Sequence, residues 1–379
     1  MNSKQAESVS ALKLVIITPI FFPTAGGAST YYRLLTQGLM TAGQVRQITV
    51  ITEQHPGQPD AEFNETCGVE IIRVFPHRAG AQLSKLSQYL RYGLQNLQYF
   101  GLPRRIRSLN PDVVLVHSSL HNFFNLLTPA LRQMARQLPL IADVRDHQLP
   151  RKRLHQLDIY DSIIACSANV LAHLGAREAL KPKIHPIPVI QEDLGQRETA
   201  GVSLEKHGLE GIDYLLFAGL LKPDKGVSLL LSAYECLRAR GRSEQLVLVG
   251  QAKDPELVER ARQLPGVKWL GPLPREELLD LLSRARLAVN LSVSEGLPRS
   301  SLEAIALGAQ VALPAGIPEF EQHCPDNVVR SQSPEIVAED LNRLLESDRL
   351  PNYPVDDHRV ERVCQTYADL LGDSRRDAG

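Results

Sequence analysis

The chain has 379 residues, too many for one ordinary core, so two domains of similar size are expected. Hydrophobic residues make up 43% and charged residues 22%, a globular composition. The 42 basic and 43 acidic side chains leave a formal net charge of −1, which excludes whole-surface attraction to nucleic acid.

The first ten residues, MNSKQAESVS, lack the apolar run of a secretory signal, and no stretch reaches the roughly 20 apolar residues that span a bilayer. A cytoplasmic protein is expected. Residues 13–18 (KLVIIT) read as a first strand, followed by the loop PIFFPTAGG and a helical pattern with Tyr31, Leu34, Leu35, Leu39 and Met40 on one side. Further buried strands are expected at 48–52, 69–74, 113–117, 140–144 and 162–165, with helical stretches between most of them. Between 191 and 211 the composition turns polar, which reads as a linker. Strands are then expected at 214–218, 245–249, 267–270, 287–291 and 310–313, alternating with helices at 227–240, 255–263, 274–285, 301–306 and 334–346. The expected fold is α/β: a Rossmann-like domain over 1–190, a linker over 191–211, a Rossmann-like domain over 212–355, and an amphipathic stretch at 356–371 packing back on the first domain. Such sheets bind ligands at the carboxyl ends of their strands.

Chemistry-bearing residues gather in the second half. In 294–308 (SEGLPRSSLEAIALG), Glu295 sits in a loop after an apolar strand and Glu303 in the first turns of a helix. A helix start offers unpaired N–H groups and a positive dipole end to a diphosphate, and a carboxylate accepts hydrogen bonds from vicinal sugar hydroxyls. The bland alternative is a pair of solvated glutamates. In 217–226 (FAGLLKPDKG), Lys225 and Gly226 open the next helix and set a positive charge beside another anion-friendly terminus, with Lys222 close enough to contribute. Gly26 and Gly27 precede the first helix and let backbone approach a ligand. Their spacing is not G-x-G-x-x-G, which disfavours a nicotinamide cofactor. Cys67, Cys166, Cys236, Cys324 and Cys364 are scattered and read as reduced, mostly buried thiols, and no His/Cys cluster or Asp-x-Asp pair suggests a metal.

Together these pieces resemble glycosyltransferase family 4, the retaining transferases of the GT-B fold, in its bacterial polysaccharide-type members. The resemblance runs over nearly the whole chain and is densest from 217 to 319, where FAGLLKPDKG, LVLVG, VKWLGPLPREELLDLLSRA and SEGLPRSSLEAIALG follow in the family's order. It implies Glu303 on the nucleotide ribose, Glu295 on the donor sugar and Lys225 on the diphosphate. It also implies phosphate-capping amides near Ser301 and Leu302, and backbone around Leu270 facing the base. Gly26 and Gly27 match the family's glycine pair near donor phosphate and acceptor. The implied architecture is two doubly wound domains facing an interdomain cleft. The implied partners are a nucleotide-sugar donor and a glycan, lipid-linked glycan or small acceptor, with no metal and no cofactor. Glu303→Ala and Lys225→Ala are each expected to weaken nucleotide binding without unfolding the protein.

The sequence also departs from the family. An arginine usually follows the glycine matched by Gly219; here it is Leu220, and Lys222 lacks the planar fork of arginine. One cation lost beside a departing diphosphate costs ~2–4 kcal/mol. In 140–150 (LIADVRDHQLP) many relatives carry a histidine at the position of Arg145. Asp143, Arg145, Asp146 and His147 look like an Asp-x-Arg-Asp variant, with Arg145 orienting acceptor or donor and Asp146 or His147 handling the acceptor proton. A salt-bridged loop is the other reading. His117 and His121 read as structural. The aromatic and basic segment 85–107, with Lys85, Arg91, Arg104, Arg105 and Arg107, fits peripheral contact with an anionic inner-membrane face or a plain cover for the sheet. Two rivals stand beside this reading: a donor-binding partner subunit with weak catalysis, and another GT-B enzyme such as a nucleotide-sugar epimerase or a phosphorylase.

Overall fold

The computed structural model describes residues 12–24, 26–75, 99–118, 127–145, 149–194, 202–293, 295–347 and 349–376. The chain divides into two compact units, one comprising Met1–Ile190 with Arg359–Gly379 and the other Gln191–His358. The first is built on an eight-stranded sheet ordered β3-β4-β2-β1-β5-β6-β7-β8. Its strands are β1 (Leu12–Ile17), β2 (Val45–Glu53), β3 (Ala61–Asn64), β4 (Val69–Phe75), β5 (Val113–His117), β6 (Leu140–Val144), β7 (Ser162–Ala165) and β8 (Ile184–Pro186). Every pairing is parallel except that of β3 on β4. β5, β6 and β7 are buried at every residue, the reason they read as unbroken apolar runs. The edge strand β3 has no buried residue and left no apolar signal in the sequence. Its helices include α1 (Gly27–Thr41), α2 (Leu127–Met134) and α3 (Ala168–Gly175), and residues 99–109 are helical as well. Between β6 and β7 the described residues make a 3-10 run, Arg151–Ile159, and after β7 Ser167 caps α3 by accepting the Val170 N–H at 3.4 Å.

The second unit holds six parallel strands ordered β11-β10-β9-β12-β13-β14. They are β9 (Tyr214–Ala218), β10 (Gln245–Val249), β11 (Val267–Gly271), β12 (Leu287–Val289), β13 (Val311–Pro314) and β14 (Val328–Val329). The helices are α4 (Val202–Lys206), α5 (Val227–Ala239), α6 (Pro255–Gln263), α7 (Arg275–Arg284), α8 (Arg299–Ala306), α9 (Pro318–His323) and α10 (Pro334–Glu346). The strand order reverses between β9 and β12, where an α/β sheet opens a crevice at its carboxyl edge. β12 stops at Val289, earlier than the apolar run suggests, because the Asn290 side chain accepts the Ser292 N–H at 3.0 Å and turns the chain.

The described residues of the polar stretch expected as a linker, 191–194 and 202–211, group with the second unit. α4 is tied to α7 by the Ser203 N–H donating to Asp280 at 3.0 Å, and Lys206 and His207 both pair with Glu277. The expected stretch 356–371 is likewise divided: Val355–His358 form a 3-10 turn in the second unit, and α11 (Val360–Arg376) packs in the first, against α1. Gly38 makes that packing possible, since a Cβ on it would lie 2.4 Å from Cys364 Sγ. All five cysteines are free, and burial pushes the Cys364 thiol up to about 12 and Cys324 to about 11, which keeps both as inert thiols. Among the described residues no helix is long and apolar enough to cross a membrane.

Candidate functional site

At the carboxyl ends of β9, β10 and β11 the chain turns on Gly219, Gly250 and Gly271. Gly250 has φ 139°, and a Cβ on it would lie 1.8 Å from Gly219 O. Its amide donates to Gly271 O at 2.8 Å and its carbonyl accepts Trp269 Nε1–H at 3.0 Å. Three adjacent strands therefore end in a ledge of backbone without side chains, and Leu270 lies on its outer strand. Glycine is required at 250 because only it fits both the dihedral and the gap.

Lys225 and Glu295 meet across the β9/β12 crevice as an ion pair, with 21% and 19% of their side chains exposed. Their juxtaposition is a property of backbone. Gly226 adopts φ 72°, and a Cβ on it would lie 2.1 Å from Leu291 O, so the chain just past β12 rests directly on the start of α5. The Val293 N–H then donates to Asp224 O at 3.0 Å and fixes the two loops. Neither α5 nor α8 has a side-chain cap, so the first amides of each lack an intrahelical acceptor. Leu302 is an exception to the expected phosphate cap. Its N–H is already bonded to Pro298 O at 3.3 Å, which leaves Ser301 as the last α8 residue able to offer its amide.

Glu303 is nearly closed off, 3% exposed, and its Oε1 accepts from Arg275 Nη1 at 2.7 Å and from Arg299 Nε at 2.8 Å. Arg275 also donates to Glu192 at 3.0 Å. Burial and the neighbouring Arg275 depress the basicity of Arg299, while Glu303 opposes that shift. The expectation that Glu303 can be truncated without structural consequence is corrected accordingly: it neutralises two partly buried arginines. With Oε1 engaged twice, Oε2 is the atom left to accept ribose-type hydroxyls.

The position held by arginine in the family is empty of charge here. Leu220 is 38% exposed, and Lys222 is paired with Asp224 at 2.7 Å. A cavity of about 250 Å³ opens beside the same loop, lined among others by Ser292, Val293, Gly316 and Ser331. Its lining carries no charged side chain, so it does not suit a phosphate.

In the first unit, Gly26 takes φ 141° at the start of α1 and its carbonyl accepts from Thr30 N–H and Oγ1 at 3.0 and 3.1 Å. No atom lies within 4 Å of a Cβ built on Gly27, so that backbone is open to a neighbouring group. Arg145 leaves β6 and lies with its guanidinium carbon 3.3 Å from the centroid of the Tyr31 ring, Nη1 being 3.5 Å from Asp143 Oδ1. Asp143 is fully buried and accepts from Tyr32 Oη at 2.7 Å. Burial raises the Asp143 carboxyl above the usual range, against the lowering effect of Arg145 and Tyr32. His117, at the end of β5, shares a hydrogen bond with Thr18 at 3.1 Å and lies against the Tyr32 ring. Asp146, His147 and His121 lie outside the described residues, as does most of segment 85–107. The end of that segment exposes Phe100 and Arg104, Arg105 and Arg107.

Sequence reasoning missed Arg275, Arg299, Gly250 and the tyrosines Tyr31, Tyr32 and Tyr367. Arg299 stands four residues before Glu303, a helical pairing distance that was readable; Arg275 and Tyr367 reach their partners only through the fold. Among the described residues, no group of three or more His, Cys, Asp or Glu side chains is arranged to hold a metal ion.

Residues 25–189 match the family model described as Glycosyltransferase Family 4, and residues 212–347 the model described as Glycosyl transferases group 1. An Escherichia coli O-antigen chain mannosyltransferase B is 32% identical over 114 residues, covering 28% of this chain and 30% of that protein. A Mycobacterium tuberculosis glycogen synthase is 27% identical over 222 residues, covering 53% of this chain and 51% of the synthase. These two matches span 30% and 51% of the length of those relatives. Among solved structures, a sucrose-phosphate synthase from Thermosynechococcus elongatus aligns with TM-score 0.70 at 18% identity over 95% of this chain and 94% of that one. At that identity the likeness carries the fold, two Rossmann-like α/β domains of the GT-B class.

Proposed function

Because this chain belongs to the family 4 type of glycosyltransferases, matched in both of its units, we propose that it moves a sugar from a nucleoside-diphosphate sugar to an acceptor hydroxyl with retention. The observation that carries the reading is the convergence, in one strand-end crevice, of Lys225, Glu295 and the start of α8, with Glu303 further along that helix. Each matches a part of the donor. Glu303 Oε2 takes the ribose hydroxyls, Lys225 and the amides of 299–301 take the diphosphate, and Glu295 takes the sugar. The bare ledge of Gly250 and Gly271, with Leu270, accepts a flat base. The charge that develops on the leaving diphosphate is met by fixed dipoles and one lysine, so no strong enzymic nucleophile and no metal is required. In the first unit, Arg145 orients the acceptor or donor. The acceptor is a glycan, a lipid-linked glycan or a small molecule, and the exposed Arg104, Arg105 and Arg107 suit a peripheral approach to an anionic membrane.

Trp269 is the single tryptophan and belongs to the ledge strand β11, so its fluorescence reports directly on donor binding. Uridine, guanosine and adenosine diphosphate sugars are titrated, and release of nucleoside diphosphate is followed with and without glycan acceptors. The expected outcome is saturable binding of at least one donor, acceptor-dependent release, and weakening by Lys225→Ala of about 2–4 kcal/mol. No response to any of the nucleotides sinks the donor site. Donor conversion without acceptor favours an epimerase, and binding with no transfer favours a partner subunit.

A further inference from the structure

An arginine at a strand end carries its charge on a long rotatable stem and acts with precision only where its plane is fixed. Arg145 is held on three sides. Its guanidinium stacks on Tyr31 at 3.3 Å, Nη1 faces Asp143 Oδ1 at 3.5 Å, and its carbonyl accepts from Cys166 Sγ at 3.3 Å. Asp143 alone would leave the guanidinium free to swing about the contact; the flat ring selects one plane.

The ring is fixed in turn from the far end of the sequence. The Tyr31 hydroxyl is hydrogen-bonded to that of Tyr367 on α11, and both residues are at most 1% exposed. At that burial, neither phenol has an easy substitute partner. The register of α11 on α1 is set by the close approach of Cys364 to Gly38, which lies two turns along α1 from Tyr31 and therefore on the same face. Tyr32, next to Tyr31, presents its hydroxyl to Asp143 at 2.7 Å. A line of buried contacts thus runs from the C-terminal helix through Tyr31 to Arg145.

We propose that Tyr31, and through it Tyr367, are positioning residues for Arg145, so that the C-terminal helix completes the chemistry of the first unit. The proposal rests on the reading that Arg145 meets the acceptor or the donor. Neither tyrosine touches substrate; each limits where the guanidinium can be.

The test uses the full chain with Tyr367→Phe, Tyr31→Leu, Arg145→Ala and the double variant Tyr367→Phe/Arg145→Ala. Melting temperature, kcat and KM for the donor, and labelling of Arg145 by phenylglyoxal followed by peptide mass mapping are measured. Tyr367→Phe is expected to lower kcat about fivefold, with little change in KM, by removing one buried hydrogen bond. That loss should vanish in the Arg145→Ala background, which a merely structural role would not produce. Tyr31→Leu should speed labelling of Arg145. Equal labelling in wild type and Tyr31→Leu overturns the proposal, and needs no donor to be found. A slow Arg145→Ala beside an unaffected Tyr367→Phe also overturns it. A full rate in Arg145→Ala is a different failure, that of the role given to Arg145 itself.

Discussion

Gly226→Ala adds one methyl group where the chain just past β12 rests on the start of α5. The residue sits at φ 72°, ψ 12°, and the new Cβ would lie 2.1 Å from Leu291 O and 2.5 Å from Leu291 C. The left-handed backbone costs an alanine about 1–2 kcal/mol. Overlap with main chain, which no rotamer change relieves, adds about 1–3 kcal/mol. The sum is about 2–5 kcal/mol. Gly241 supplies the control: it has φ 87° but nothing within 4 Å of an added Cβ, so Gly241→Ala carries the backbone term alone. Both changes fall in the unit that contains Trp269, and urea unfolding followed by its fluorescence reads them on one scale at constant m. If the two variants differ by less than about 0.5 kcal/mol, the close approach is not a real constraint and the reasoning fails. Because the same contact aligns Lys225 with Glu295, Gly226→Ala should weaken nucleotide binding while Gly241→Ala leaves it intact.

Glu303→Ala should cost about 3–5 kcal/mol of stability, since it strands Arg299 and leaves Arg275 with Glu192 alone, whereas Glu303→Gln keeps an acceptor for both arginines and should cost less. Equal stability of the two variants by the same fluorescence assay counts against the paired-arginine account. Burial holds the His185 imidazole below its ordinary value of 6.5, against the raising effect of Asp373. A depressed folded value means that its contribution to stability is present above pH 6.5 and lost as pH falls through the folded value, so thermal melts should show wild type losing more than His185→Gln on acidification. A parallel pH dependence in the two proteins refutes this. Excess EDTA should leave the initial rate of transfer unchanged; a rate restored only by added magnesium or manganese would show that the lysine and helix termini do not suffice.

The sequence by itself determined the two-sheet plan and which charged residues stand at strand ends and helix starts. Buried parallel strands such as β5, β6, β9 and β10 declare themselves because both faces need apolar side chains. Glu295, Glu303 and Lys225 stand at strand ends and helix starts, positions set by chain-local pattern. Tertiary structure alone decided what those groups face. The pairing of Lys225 with Glu295 spans 70 residues and depends on one missing Cβ at Gly226. Arg275 reaches Glu303 from 28 residues away, and Tyr367 reaches Tyr31 from 336. The polar stretch after 190 looked like a tether because composition records solvent exposure and not which neighbour an amphipathic turn packs against; α4 is held by α7 through Ser203 and Asp280, 77 residues apart. Periodicity is written residue by residue, whereas charge neutralisation and close approach belong to pairs that only folding brings together.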